Sequence, residues 1–212
     1  MSEASALARA EQGSSSDTEH VEAGHGVLSD VETLRQRARH EIEQGAGTPS
    51  YGADKEAVLG LLNTALATEV VCMLRYRRHY FLANGVFAAA IKEEFLVHSQ
   101  EEQGHADQIA ERIVQLGGVP NLNPTGLATR SHAEYGNGDN LEQMLTEDLI
   151  AERIAIESYG EVIAYLGARD STTRRMLEAI LAAEEKHAEE LASMLNDLSS
   201  MKAPSVANGQ VR

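Results

Sequence analysis

From residue 54 onward, apolar side chains recur at alternating three- and four-residue steps, the spacing of one buried face on a helix. Four long segments carry that pattern. The first runs from about Asp54 to Ala83 and is broken by Asn84-Gly85. The second runs from about Val86 to Leu116 and stops at Gly117-Gly118, with Pro120 just beyond. The third starts near Asp139 or Asn140, both good N-caps, and ends at Gly167. The fourth starts after Asp170, a further N-cap, and ends near Leu198. At 1.5 Å per residue each spans roughly 42–46 Å. Only a few residues join the first segment to the second, or the third to the fourth, so each pair must form an antiparallel hairpin. The 22 residues 117–138 between the hairpins are long enough to travel the length of a bundle. The pattern therefore predicts an all-α, antiparallel four-helix bundle over 49–199 with one long crossover, in which His132-Ala133-Glu134-Tyr135 forms an extra helical turn.

Outside the bundle the pattern weakens. Residues 1–26 are rich in Ser, Gly, Ala and Glu without apolar periodicity and read as a disordered tail. A short amphipathic helix is expected from Val27 to about Gln44, within a unit 27–48 closed by Gly45 and Gly47. Residues 200–212, polar and proline-broken, read as a flexible C-terminal tail.

Composition narrows the function. With no tryptophan and four prolines in 212 residues, and with Ala, Leu, Glu and Ile recurring, a helical domain is favoured over a sheet. A net charge of −15 disfavours nucleic-acid and membrane-surface partners and suits a protein that attracts cations. The single cysteine, Cys72, rules out a disulfide framework or a cysteine-rich metal site. The first ten residues lack the layout of a secretory signal, and no apolar run is read as long enough to span a bilayer, so a cytoplasmic location is expected.

Polar residues interrupt all four apolar stripes near their midpoints. The first reads Leu62, Leu66, Glu69, Met73, Tyr76, Tyr80. The second reads Ile91, Phe95, His98, Glu102, His105, Ile109, and the third Leu145, Leu149, Glu152, Ile156, Tyr159, Ile163. The fourth reads Leu177, Ile180, Glu184, His187, Leu191. A buried carboxylate costs several kcal/mol even after relaxation, and four at one level would repel one another until some protonated or swung outward. Two divalent cations remove that conflict. The donors, oxygens with two imidazole nitrogens, suit Fe²⁺ or Mn²⁺. Glu69 to Glu102 is 33 residues and Glu152 to Glu184 is 32, so each hairpin repeats Glu followed by Glu-x-x-His. A lone Glu-x-x-His carries little weight, since Glu22 to His25 also fits. The paired arrangement is what points to a dinuclear site.

At these residues the chain resembles the bacterioferritin branch of the ferritin-like superfamily. The stretches ALATEVVCMLRYRRHYF, EEQGHADQIAERIVQLGGVPNL, EDLIAE and ILAAEEKHAEEL are similar to its four helix motifs, and the likeness covers about residues 54–198. The resemblance implies that Glu69, Glu102, His105, Glu152, Glu184 and His187 are ferroxidase ligands, with Glu102 and Glu184 as bridges. It implies two Fe ions per subunit, oxidised by O₂ or H₂O₂ and stored as mineral in a hollow homo-oligomeric shell. Where bacterioferritins place a haem-binding Met, this chain has Gln103, so haem is not expected. The family's short fifth helix is also absent from the pattern. The chain is then more similar to Dps-like miniferritins with bacterioferritin-type centres, and 12 subunits are expected rather than 24. Some of that group carry a cysteine pair beside the metals, which Cys72 alone cannot supply.

Tyr76, seven residues after Glu69, resembles the family's redox-active tyrosine, with core packing an equal reading. Tyr159 stands in the same relation to Glu152 and is expected simply to pack. His98 is expected to be a core histidine rather than an accessory ligand. Glu101 and Glu185 should point away from the ligands, Cys72 should be a small buried apolar residue, and the run Arg75 to His79 should form a subunit salt-bridge surface. A manganese catalase or a peroxidase could use the same site. A DNA-coating miniferritin would call for a basic tail, but Arg9 is the only Lys or Arg among residues 1–26.

Overall fold

Each long helix begins or ends where the chain chemistry dictates. Asp54 accepts a hydrogen bond from Ala57 N (3.1 Å), Asn140 from Gln143 N (3.1 Å) and Asp170 from Thr173 N (2.9 Å), each satisfying an amide that the first turn leaves free. In the computed structural model, which describes residues 28–202, these caps open α2 (Lys55–Leu82), α5 (Leu141–Leu166) and α6 (Ser171–Lys202). The remaining long helix is α3 (Ala88–Gln115). At Gly118, a Cβ would lie 2.4 Å from Leu59 Cδ2, so a larger residue there would have to displace the Leu59 side chain where the chain leaves α3 against α2. The segments expected from periodicity are therefore present with ends shifted by a few residues. The fourth continues past Leu198, taking in 200–202. The tail expected at 1–26, and residues beyond 202, lie outside the described residues.

Helices α2 and α3 form one antiparallel hairpin and α5 and α6 the other. Two apolar clusters fill the bundle. One gathers Leu62, Leu66, Ile109, Ile113, Leu166, Leu177 and Ile180; the other gathers Ile91, Phe95, Leu145, Leu191 and Leu198. Between them lies a polar layer.

The N-terminal unit is smaller than expected. Helix α1 (Val31–Arg39), capped by Asp30, buries none of its side chains against the bundle; a 3-10 turn at Ile42–Gln44 follows after Glu41 takes a left-handed φ of 51°. The crossover also differs. Its helical turn is α4 (Leu127–Arg130), not His132–Tyr135: Leu127 packs on Ala67 and Val71 of α2, while His132 N donates to Thr68 Oγ1 (3.0 Å) and is committed to α2 instead.

Two basic residues of the Arg75 to His79 run turn inward, while Arg77 and Arg78 stay partly exposed. Arg75 and His79 are buried and share Asp148 of α5, with Arg75 Nε 2.7 Å from Oδ1 and His79 Nδ1 2.8 Å from Oδ2. Arg75 Nη1 also donates to Glu134 O (2.7 Å), Arg78 donates to Asn137 O, and the other ring nitrogen of His79 lies 3.2 Å from Asn137 O. Asp148, which the stripe pattern passed over, thus ties both hairpins and the crossover together. Membrane length also needs correction. An 18-residue window of α2 has a mean hydropathy of 1.8, enough by length and composition to cross a bilayer. In the bundle that helix buries Leu62, Leu66 and Val71 together with Glu69, Arg75 and His79, as a core helix hydrophobic on most sides does.

Asp148→Ala strands the buried Arg75 guanidinium without a counter-charge and leaves His79 without its partner, and should cost about 3–5 kcal/mol. Chemical unfolding measures this, and a loss below about 1 kcal/mol, the scale of an exposed pair, would show that the network is not holding the hairpins.

Candidate metal centre

The polar layer is built from all four long helices at one level. Glu69, Glu102, Glu152, Glu184 and His187 are each 1% exposed, and His105 is also buried. Helical spacing places each Glu-x-x-His pair on one inward face. The antiparallel hairpins then bring the two pairs face to face.

The geometry has an approximate two-fold symmetry. His105 Nδ1 lies 2.9 Å from Glu184 Oε1, 3.3 Å from Glu102 Oε2 and 3.4 Å from Glu69 Oε2. His187 Nδ1 lies 3.3 Å from Glu184 Oε2, 3.6 Å from Glu102 Oε1 and 3.9 Å from Glu152 Oε2. Glu102 and Glu184 therefore turn one oxygen toward each imidazole, while Glu69 and Glu152 each serve one side. Two donor sets result: Glu69, Glu102, His105 and Glu184, and Glu102, Glu152, Glu184 and His187. The donor atoms of each lie within 4.8 Å of one another.

The oxygens facing away from the centre are held by phenols. Tyr76 of α2 donates to Glu152 Oε1 of α5, and Tyr159 of α5 donates to Glu69 Oε1 of α2. Each tyrosine serves the carboxylate of the opposite hairpin. Tyr159 was expected only to pack, yet it matches Tyr76 in chemistry and in burial. Burial, then the charge of Glu152 or Glu69, pushes each phenol well above its ordinary value and keeps it a donor.

Glu101 is the residue that the stripe pattern misassigned. Its Oε2 lies 2.7 Å from His187 Nε2, which leaves Nδ1 aimed at the centre. A carboxylate on the far nitrogen is the usual partner of a metal-bound imidazole. The signal was hidden because a side chain 100° off the stripe still reaches across to α6. Glu185 is exposed, as expected, and Cys72 is buried and unpaired. His98 is wholly buried and stacks on His187 at 4.1 Å between ring centres.

Whether cations fit is answered by the groups left without partners. Glu69 Oε2, both Glu184 oxygens and His187 Nδ1 are buried with no hydrogen bond, the nearby nitrogens being out of line for one. Protons partly balance the charge. Burial, then repulsion from Glu184, raises Glu102 and Glu152 well above the usual carboxylate range. Burial alone would raise Glu184, but the two imidazoles hold it down at about 2. Burial would lower His105 and His187; the carboxylates around them instead push them up to about 12 and about 9. The centre is thus a cluster of buried oxygens that keeps protons where two dications would fit, and the oxygen-with-imidazole set suits Fe²⁺ or Mn²⁺.

The chain as a whole is similar to known proteins. The chain matches the ferritin-like domain over residues 59–201. A nutrient stress-induced DNA-binding protein of Synechococcus sp. is 33% identical over 137 residues, which are 63% of this chain and 78% of its own length. A bacterioferritin of Brucella melitensis is 30% identical over 147 residues, 68% of this chain and 86% of its own. Among solved structures, the dodecameric thioferritin of Bacteroides fragilis, a bacterioferritin-related protein, aligns with a TM-score of 0.69 at 31% identity, covering 71% of this chain and 91% of its own.

The protonation pattern makes the metal-free protein sensitive to alkali. Above the ordinary imidazole value of 6.5, an unfolded chain sheds protons that folded His187 keeps to about 9 and His105 to about 12, so stability falls as pH rises. Raised Glu102 and Glu152 act in the same direction from 4.5 upward, and Glu184, lowered to about 2, opposes them only below 4.5. The melting temperature of metal-free protein should therefore drop between pH 6.5 and about 9, while the gain from added Mn²⁺ grows as protons cease to compete. A metal-free melting temperature that holds or rises over that interval would contradict the assignment.

Proposed function

This chain belongs to the ferritin-like family, and from that premise we propose that it is a ferroxidase that takes up two Fe²⁺ between its four helices. The observation that carries the reading is the pair of overlapping four-residue donor sets sharing Glu102 and Glu184. Glu69 with His105 completes one position and Glu152 with His187 the other. Fe²⁺ is here a substrate. Each ion gives up one electron, and the pair reduces O₂ to H₂O₂, or H₂O₂ to two waters, with two protons consumed in either case. Cation binding displaces the protons of Glu102 and Glu152 inside the site, where the reduction needs them.

The chain's own residues do the remaining work. The two shared carboxylates keep both ions at one level, at the roughly 3.5–4 Å spacing usual for dinuclear sites. Glu101 fixes the His187 ring so that Nδ1 faces the ion. Tyr76 donates to and orients Glu152, and Tyr159 does the same for Glu69. The apolar clusters above and below exclude water. In this reading the Fe³⁺ product is stored in a hollow shell of twelve chains, a size supported by the dodecameric relative from Bacteroides fragilis. Gln103 is exposed where a haem-binding Met would stand, so haem has no part in the reading.

The name of the Synechococcus relative favours a second reading, a DNA-associated protective protein. A net charge of −15 opposes it, because a chain that repels phosphate releases few counterions on binding.

Anaerobic titration should bind two Fe²⁺ per subunit, and His105→Ala with His187→Ala should abolish both. One or none in the parent protein would show that the six residues do not act as a dinuclear site. Tyr76→Phe should keep both ions but slow oxidation. For the second reading, duplex DNA should run unshifted in a gel at low salt, and tight binding there would replace the storage role with a DNA-protective one.

A further inference from the structure

Two asparagines among the described residues precede a glycine: Asn84-Gly85 between α2 and α3, and Asn137-Gly138 at the end of the crossover. They stand at the same end of the bundle, where Gly85 and Gly138 line one cavity. At such a pair a chain can modify itself. The backbone nitrogen of the glycine attacks Cγ of the asparagine, a C–N bond forms, and ammonia leaves. The product is a five-membered succinimide. Water then opens that ring at either carbonyl and leaves aspartate or isoaspartate. Glycine favours the attack because no Cβ shields its nitrogen, and this reaction is one reason asparagine is thermolabile. The side chain and the following peptide must rotate toward each other, so whatever fixes that peptide slows the step.

The two sites differ in that restraint. The peptide joining Asn137 to Gly138 is held at its oxygen. Arg78 Nη1 donates to Asn137 O, and Nε2 of His79 lies 3.2 Å from the same atom. His79 is itself wholly buried and lies 2.8 Å from Asp148 Oδ2. Gly138 is also crowded, since a Cβ there would lie 2.7 Å from Met144 Cγ and 2.9 Å from Met144 N. Turning this peptide would break two hydrogen bonds and press on α5. Asn84 and Gly85 have neither restraint. Both are exposed, and a Cβ on Gly85 would meet nothing within 4 Å. Gly85 has a φ of 105°, which glycine adopts without strain. Among the described residues, no hydrogen bond holds the oxygen or the nitrogen of the Asn84-Gly85 peptide. Asn84 Nδ2 donates to Leu82 O (3.1 Å), but that bond is exposed, and water replaces it at little cost.

We propose that Asn84 is a self-modification site, converting to aspartate or isoaspartate in the folded protein, while Arg78 and His79 protect Asn137. The new carboxylate lies just past the C-terminal end of α2, where the helix dipole disfavours negative charge. It also cannot donate to Leu82 O as the amide does. Isoaspartate adds a carbon to the main chain of the loop between α2 and α3. Conversion therefore loosens the end of the helix that carries Glu69 and Tyr76.

The test is prolonged incubation of the full, assembled protein near neutral pH, followed by digestion. Mass measurement finds the converted peptides, and chromatography separates aspartate from isoaspartate. Asn208-Gly209 lies outside the described residues, so its peptide is scored separately. Asn84 should convert about tenfold or more faster than Asn137, the scale set by two hydrogen bonds that must break first. An Asn84 that stays intact, or that converts no faster than Asn137, would overturn the assignment. Arg78→Ala removes one of those bonds through a partly exposed side chain, and should speed Asn137 while leaving Asn84 unchanged. An Asn137 indifferent to that change would overturn the protection. Asn84→Asp, which makes one product outright, should lower the melting temperature by about 1–4 °C. An unchanged melting temperature would show that the end of α2 is not loosened.

Discussion

Four carboxylates buried at one level of a helical bundle set the terms for everything around them. Each costs several kcal/mol to bury as an ion, and a domain has only about 5–15 kcal/mol of net stability to set against such terms. The metal-free chain meets the cost with protons: burial and Glu184 raise Glu102 and Glu152, and the surrounding carboxylates raise His105 and His187. Those protons stand where cations held by the same donors would sit. The same layer divides the apolar core in two, with Tyr159 ending one cluster and Tyr76 ending the other. The tyrosines are thus both the edge of the oil and the hydrogen-bond donors to the polar layer.

Keeping that layer level requires that the hairpins not slide. A shift of one helical turn, about 5.4 Å, would separate the shared carboxylates from one of the two imidazoles. Two buried networks oppose such a shift. Asp148 of α5 holds Arg75 and His79 of α2, and through Arg75 the crossover backbone at Glu134. Near the other end Asp170, which opens α6, accepts from Arg112 Nη2 of α3 (3.0 Å) and from Tyr51 (2.7 Å) before α2. Each network joins a residue of one hairpin to a residue of the other, and the two lie on opposite sides of the centre. Their hydrogen-bonded geometry specifies a register in a way that Leu and Ile contacts, which tolerate sliding, do not.

The centre is nearly symmetric, and its surroundings are not. The crossed tyrosines and shared carboxylates make the two donor sets nearly equivalent. Glu94, His98 and Glu101 of α3 stand where the repeat in α6 has Met176, Ile180 and Ala183, so polar groups gather on one flank and the other is given to packing.

Helical periodicity, caps and the inward phase of Glu69, Glu102, Glu152 and Glu184 are local properties, each encoded within a few turns, and so the bundle, its crossover and the six residues of the centre were legible in the sequence. The Glu-x-x-His repeat added the pairing of hairpins. What the chain alone concealed were contacts made across helices by residues off the main stripe. Asp148 lies four residues before Glu152 but on a position the alternating count skips, and its partners are 73 and 69 residues away. Glu101 reaches His187 over 86 residues, and Tyr159 reaches Glu69 over 90. The Arg75 to His79 run looked like a surface because nothing nearby in sequence could neutralise it. The sequence determined which faces turn inward, since that follows from a 3.6-residue period. Only the tertiary structure decided which charged groups meet there, because a side chain's partner depends on the register between helices that no local pattern records.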